Sequence, residues 1–161
     1  MSDTLDILEN ITYDELNEGD SATFTRTLTE DELVLFAAVS GDVNPVHLDS
    51  EFAADTMFKE RIAHGMWSGS LISAALATVM PGPGTIYLDQ TLSFKRPVKL
   101  DDTLTVKLTV SEKGAKNRVT LACDVRNQND DQVVVGEAKV IAPTEKVSLQ
   151  KPRLPKITIE G

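Results

Sequence analysis

From Ile62 to Leu88 the chain carries no Lys, Arg, Asp or Glu, and this run governs what can be built around it. It is long enough to span a bilayer. Three features oppose that reading. Pro81-Gly82-Pro83-Gly84 cuts the run, its first part holds His64, Ser68, Ser70 and Ser73, and small residues outnumber Leu. The stretch from about 64 to 80 reads instead as a helix buried in a domain, roughly 25 Å long at ~1.5 Å per residue. A helix that is apolar or small on nearly every face must be wrapped by other elements.

The remaining chain offers the wrapper. Thr85 to Arg96 is a strand-length run with Ile86, Leu88, Leu92 and Phe94 at even positions. Leu104, Val106, Leu108 and Val110 alternate with Thr103, Thr105, Lys107 and Thr109. Val119, Leu121, Cys123 and Val125 alternate with Arg118, Thr120, Asp124 and Arg126, and Val134, Gly136, Ala138 and Val140 face one side opposite Glu137 and Lys139. Period-2 alternation marks antiparallel strands with one buried face, here four in a meander. Earlier, Ser21 to Leu28 suits a strand. Thr29-Glu30-Asp31-Glu32 is a capping box opening a helix that stops at Ser40-Gly41. Ser50 is expected to cap a short helix from Glu51 to about Met57, and Phe58 to Arg61 reads as a polar linker. The class is α+β: one curved antiparallel sheet wrapped around a long central helix. Residues 1–17 read as an acidic arm packing weakly on the domain, 18–142 as the domain, and 143–161 as an extended proline-containing tail.

A chain of 161 residues can bury one core. Its net charge of -9 argues against a nucleic-acid partner, because phosphate binding needs clustered cations. A lone cysteine, Cys123, fits a reducing compartment. The N-terminus is acidic and lacks the basic start and apolar core of a signal peptide. A cytoplasmic location is expected. No zinc-ligand spacing, phosphate-binding glycine loop or Ser-His-Asp motif occurs.

Both histidines lie around this central helix. Asp42 and His47 flank Asn44-Pro45, and proline stiffens the turn. A carboxylate and an imidazole converging on one water form a general acid/base pair. Taken singly, each has a plain structural reading, a turn cap for Asp42 and a satisfied core histidine for His47.

The string Gly41-Asp42-Val43-Asn44-Pro45-Val46-His47 resembles the signature of the MaoC-like (R)-specific enoyl-CoA hydratases, which have the hot-dog fold. Phe36 and Ser40 before it, Ala53-Ala54 after it and Ala63-His64-Gly65-Met66 extend the resemblance. So do Leu71-Ile72-Ser73, Pro83-Gly84, Ile86-Tyr87 and Leu92-Ser93-Phe94-Lys95-Arg96-Pro97-Val98. The resemblance implies reversible addition of water to a trans-2-enoyl-CoA, giving the (R)-3-hydroxyacyl-CoA. It implies that Asp42 and His47 activate the water, Asn44 fixes the turn, the Gly65 N–H meets the thioester oxygen, and Ser73 lies near the catalytic acid. It also implies a homodimer with the site near its interface, and no cofactor beyond the coenzyme A of the substrate.

Physical chemistry supports the part given to Gly65. Attack at C3 drives charge onto the carbonyl oxygen, and a helix N-terminus offers free N–H groups and about +0.5 charge. Gly65 has no Cβ to obstruct approach, although close packing of backbone would also select glycine. His64 is expected to hold the loop by a hydrogen bond, and it counts with Ser73, Lys95 and Arg96 among the candidate substrate-binding residues. Lys95 and Arg96 either meet coenzyme A phosphates or form a solvated surface. Three alternatives accompany the hydratase. A hot-dog thioesterase would want a carboxylate on the central helix, and Ile62–Leu88 has none. An acyl-carrier-protein dehydratase would share the acid/base pair. A noncatalytic acyl-thioester-binding domain would not need Asp42, Asn44 and His47 together.

Overall fold

The computed structural model describes residues 6–161. In chain order its elements are β1 (Ile7–Glu9), β2 (Ser21–Thr27), α1 (Glu30–Ser40), α2 (Pro45–Leu48), α3 (Ser50–Ala54), α4 (Gly65–Thr78), β3 (Ile86–Phe94), β4 (Thr103–Lys113), β5 (Arg118–Arg126), β6 (Gln132–Ile141) and β7 (Ser148–Gln150). The central helix is α4. It packs on β2 and β4, and Trp67, Ser68, Gly69, Leu71, Ile72, Ala75 and Leu76 are buried. The strand positions that alternate in sequence are those that meet it: Leu104 to Val110, Val119 to Val125, Ala138 and Val140 join the same core. This is the hot-dog arrangement. Among the described residues no helix is long and apolar enough to cross a membrane.

Sheet order departs from a meander. The five strands run β2-β4-β5-β6-β3, all neighbours antiparallel. β3 does not pair with β4, whose second edge is taken by β2 through the register Ser21–Thr27 with Thr109–Thr103. β3 closes the far edge against β6. Periodicity reports which face of a strand is buried and carries no information about its neighbour. The edge position also explains why Ile86, Leu88 and Phe94 are about half exposed despite their even spacing.

The helix caps differ in detail. Thr29 Oγ1 accepts from the Glu32 N–H at 3.2 Å, but the Glu32 carboxylate turns away and accepts from Arg26 Nε at 2.6 Å. Only half of the capping box forms. Asp49, not Ser50, caps α3, its Oδ1 accepting from the N–H groups of Glu51 and Phe52 at 3.0 and 3.1 Å. The N-terminal residues are more than a weakly packed arm. Leu16 is fully buried in the core, Ile11 and Tyr13 pack on it, and β1 pairs antiparallel with β7 of the tail. The reading of residues 1–5 lies outside the described residues.

Candidate active site

α1 delivers the chain to the site. Its C-terminus ends at Gly41, whose φ of 78° turns the backbone left-handed and whose N–H donates to Ala37 O at 2.9 Å. Asp42 follows at once. Ser40 Oγ donates to Phe36 O at 2.6 Å and accepts the Asp42 N–H at 3.2 Å. The Asn44 N–H donates to Asp42 Oδ1 at 3.1 Å, and Asn44 Oδ1 caps α2 by accepting from the Val46 N–H at 3.2 Å. Pro45 is the first residue of α2, where its missing N–H costs nothing. The stiff turn is therefore one residue of acid, one cap and one helical turn, which presents His47 inward.

His47 is buried, whereas half of the Asp42 side chain is exposed. His47 Nδ1 lies 2.8 Å from the Ile62 carbonyl oxygen. A carbonyl only accepts, so Nδ1 carries the hydrogen and Nε2 offers its lone pair. Nε2 stands 3.7 Å from Asp42 Oδ2. That is too long for a direct hydrogen bond, yet a single water at ~2.8 Å from each atom can bridge them. Arg61 secures this helix from behind: its Nε donates to His47 O at 2.7 Å, while its guanidinium pairs with Glu30 of α1 at 2.8 Å.

His64 joins the two halves. It precedes α4 as N-cap but makes no capping bond with its side chain. Its Nε2 instead donates to the Asp42 backbone carbonyl at 2.9 Å, the expected bond to the loop. Its ring stacks on His47, with centroids 3.8 Å apart and planes 26° apart, and Phe36 packs against it at 5.0 Å. His64 Nδ1 is buried without a partner.

Gly65 opens α4 beside this pair. A Cβ built there would lie 3.0 Å from Phe94 Cε1, so the glycine also makes room for that ring. Gly65, His64 and Ser68 line a cavity of about 320 Å³ with Phe94, Lys95 and Arg96. Ser73 lines a different one, of about 600 Å³, with Phe36, Met66, Ser70, Tyr87 and Leu92. Phe36, which packs against His64, borders this second cavity. Burial pushes the Tyr87 phenol up to about 12, aided by Cys123, and its hydroxyl donates to Gln90. A further groove of about 670 Å³ with Lys116, Arg118 and Lys139 contains neither Asp42 nor a histidine.

Ligand atoms of Asp42, His47 and His64 lie within 4.8 Å of one another, a grouping able to approach a cation. Imidazole binds a metal in its ring plane, and these stacked planes do not converge on one point. One nitrogen of each ring is also engaged by a backbone carbonyl. The arrangement suits a shared water better than a shared ion.

Asp42, Asn44, His47, His64 and Gly65 thus gather at one place. Lys95 and Arg96 lie along the cavity beside Gly65, and Ser73 lines the other cavity. Sequence reasoning left three participants without a task. Ser40 and Phe36 stand out in the sequence only as residues that precede the Gly41–His47 string. Arg61 read as linker, because its partners are a backbone oxygen and a glutamate 31 residues away.

Comparison with known proteins agrees with this geometry. Residues 15–133 match the model of the MaoC like domain. The chain is 43% identical over 136 residues to an (R)-specific enoyl-CoA hydratase of Rhodospirillum rubrum, covering 81% of this chain and 91% of that protein. It is 41% identical over 129 residues to an (R)-specific enoyl-CoA hydratase of Aeromonas caviae, covering 80% and 96%. The structure of the R-hydratase PhaJ1 from Pseudomonas aeruginosa, in the unliganded form, superposes with a TM-score of 0.93 at 60% identity, covering 96% of this chain and 99% of that one. With the Asp42–His47 turn set against the head of a wrapped central helix, this chain belongs to the MaoC-like dehydratase family.

Proposed function

We propose that the protein is an (R)-specific enoyl-CoA hydratase, a hydro-lyase that adds water reversibly to trans-2-enoyl-CoA. The observation that carries this reading is the 3.7 Å gap between His47 Nε2 and Asp42 Oδ2, with the head of α4 beside it. One water held by both groups loses a proton to one of them as its oxygen bonds to C3. A proton reaches C2 from the pair, so water is added across the double bond. The charge that develops on the thioester oxygen is met by the Gly65 N–H at the positive end of α4. Asn44 keeps Asp42 Oδ1 occupied, which leaves Oδ2 for the water. No cofactor is required, since coenzyme A belongs to the substrate.

Lys95 and Arg96 are suited to coenzyme A phosphates along the 320 Å³ cavity, and the 600 Å³ cavity containing Ser73 suits the acyl chain. Central helix α4 has no carboxylate, which disfavours thioester hydrolysis. We further propose a homodimer formed at the free edge of β3, where Ile86, Tyr87 and Leu88 are exposed, and a cytoplasmic location. Light scattering is expected to return twice the chain mass; a monomer contradicts the assembly.

Purified protein should bleach the enoyl absorbance of crotonyl-CoA and yield the (R)-3-hydroxy product. Asp42→Asn and His47→Gln should each lower kcat by about 10²–10⁴-fold with an unchanged circular dichroism spectrum. Normal turnover in folded Asp42→Asn would sink the assignment. The same assay with an enoyl-acyl-carrier-protein separates the hydratase from a carrier-protein dehydratase.

A further inference from the structure

His64 makes two contacts that matter to the reacting pair. Its Nε2–H reaches the backbone carbonyl of Asp42 at 2.9 Å. Its ring face covers His47 at 3.8 Å. Its own backbone begins α4 and so sets where Gly65 stands. It is 3% exposed, and Nδ1 has no hydrogen-bond partner. A buried acceptor left unmet destabilises a fold, and an apolar aromatic ring would fill the slot without that defect. Such a ring could not bond the Asp42 carbonyl, which points away from simple packing.

The two rings are held in opposite tautomers by two carbonyls. Ile62 O takes the Nδ1 hydrogen of His47, and Asp42 O takes the Nε2 hydrogen of His64. The Cβ–Cγ bond and the Nδ1 hydrogen bond hold the His47 ring at two points and leave it a residual tilt. The flat face of His64 limits that tilt. Phe36 backs His64 from another side at 5.0 Å, so that face is itself held.

We propose that His64 is a positioning residue, whose Nε2–H tautomer and ring face together aim His47 Nε2 at Asp42 Oδ2. The inference rests on the reading of Asp42 and His47 as the hydrating pair. In this role His64 acts through His47 and the head of α4 and not on the reacting atoms, although it also lines the 320 Å³ cavity. It links the acid/base turn to the helix head, so that the groups acting on C2, C3 and the carbonyl oxygen keep one spacing.

Two substitutions divide the contacts. His64→Phe keeps an aromatic face and removes the N–H. His64→Gln keeps an N–H and removes the face. With crotonyl-CoA, each is expected to lower kcat about 10- to 100-fold, the loss typical of a small misplacement of reacting groups, while KM moves less than about threefold. Both kcat values within twofold of the parent in folded protein overturn the proposal. Loss confined to KM overturns it too, by making His64 a substrate contact. Asp42→Asn is the control for the underlying reading. If that variant keeps full turnover, the pair itself is wrong; if it is inactive while the His64 variants are not, only the role of His64 fails. The chain has two histidines, so long-range proton–nitrogen NMR of the unaltered protein is unambiguous. It is expected to show one ring protonated at Nδ1 and the other at Nε2, and two like tautomers overturn the proposal even if a variant fails to fold.

Discussion

Asp42 is held at three of its polar atoms and open at the fourth. Its N–H meets Ser40 Oγ, its carbonyl meets His64 and its Oδ1 meets the Asn44 N–H, which leaves Oδ2 facing His47. Such anchoring matters because the reacting groups must stay within a few tenths of an ångström of their productive spacing. Gly65 shows the same tolerance from the other side. Gly65→Ala keeps the backbone N–H but puts a methyl group against Phe94, whose ring is half exposed and can swing aside. The substitution is expected to leave the fold intact and to lower kcat/KM by about 10- to 100-fold, since displacement near the reacting atoms is costly. Steady-state kinetics beside a melting curve checks both halves of that statement.

Among the elements, α4 carries the core and the site together. Ile72 is fully buried at its centre. Ile72→Ala should cost about 2–5 kcal/mol, from lost burial and the cavity left behind, measured by urea titration. The hairpin of β5 and β6 is held differently. Burial pushes the Asp124 carboxyl up, but hydrogen bonds from Arg126 at 2.8 Å and Gln132 at 2.9 Å outweigh it and hold the group below the usual carboxylate range. A carboxyl depressed in the folded state adds stability above its unfolded pKa of about 3.9 and loses it as pH falls through the lower folded value. Arg126→Gln should therefore lower the melting temperature near neutral pH, and this difference should shrink as the pH drops below the carboxylate range.

Over the whole molecule, the chain ends are fastened by one buried amide. Asn10 Nδ2 donates to Pro83 O at 3.0 Å and Glu145 O at 2.9 Å, and its Oδ1 accepts the Val147 N–H at 2.9 Å. Lys146 adds an ion pair with Glu15 at 3.1 Å, which holds the lysine above its ordinary value, while the Thr12 N–H first and Lys146 second hold the Glu15 carboxyl below its own. The N-terminal segment, the turn after α4 and the tail thus meet at a single fully buried residue. Asn10→Ala removes three hydrogen bonds, to the partly buried Pro83 and Val147 and the exposed Glu145, at about 0.5–1.5 kcal/mol each. The expected result is a lower melting temperature with faster proteolysis of the tail. Catalytic constants measured well below the melt should stay near the parent values, because the Asp42–His47 turn lies elsewhere.

What the sequence determined by itself was the wrapped helix, the buried faces of β4, β5 and β6, the stop at Gly41 and the stiff Asp42–His47 turn. These depend on local periodicity, on the left-handed freedom of glycine and on the fixed φ of proline, all of which are written in neighbouring residues. The tertiary structure decided the rest. It put β3 beside β6, made β4 the neighbour of β2 and drew the two ends together, because strand pairing depends on distant edges. It also chose the tautomers of both histidines through the carbonyls of Ile62 and Asp42. A backbone oxygen leaves no mark in residue identity, so the direction in which His47 presents its lone pair becomes visible only after the chain has folded around α4.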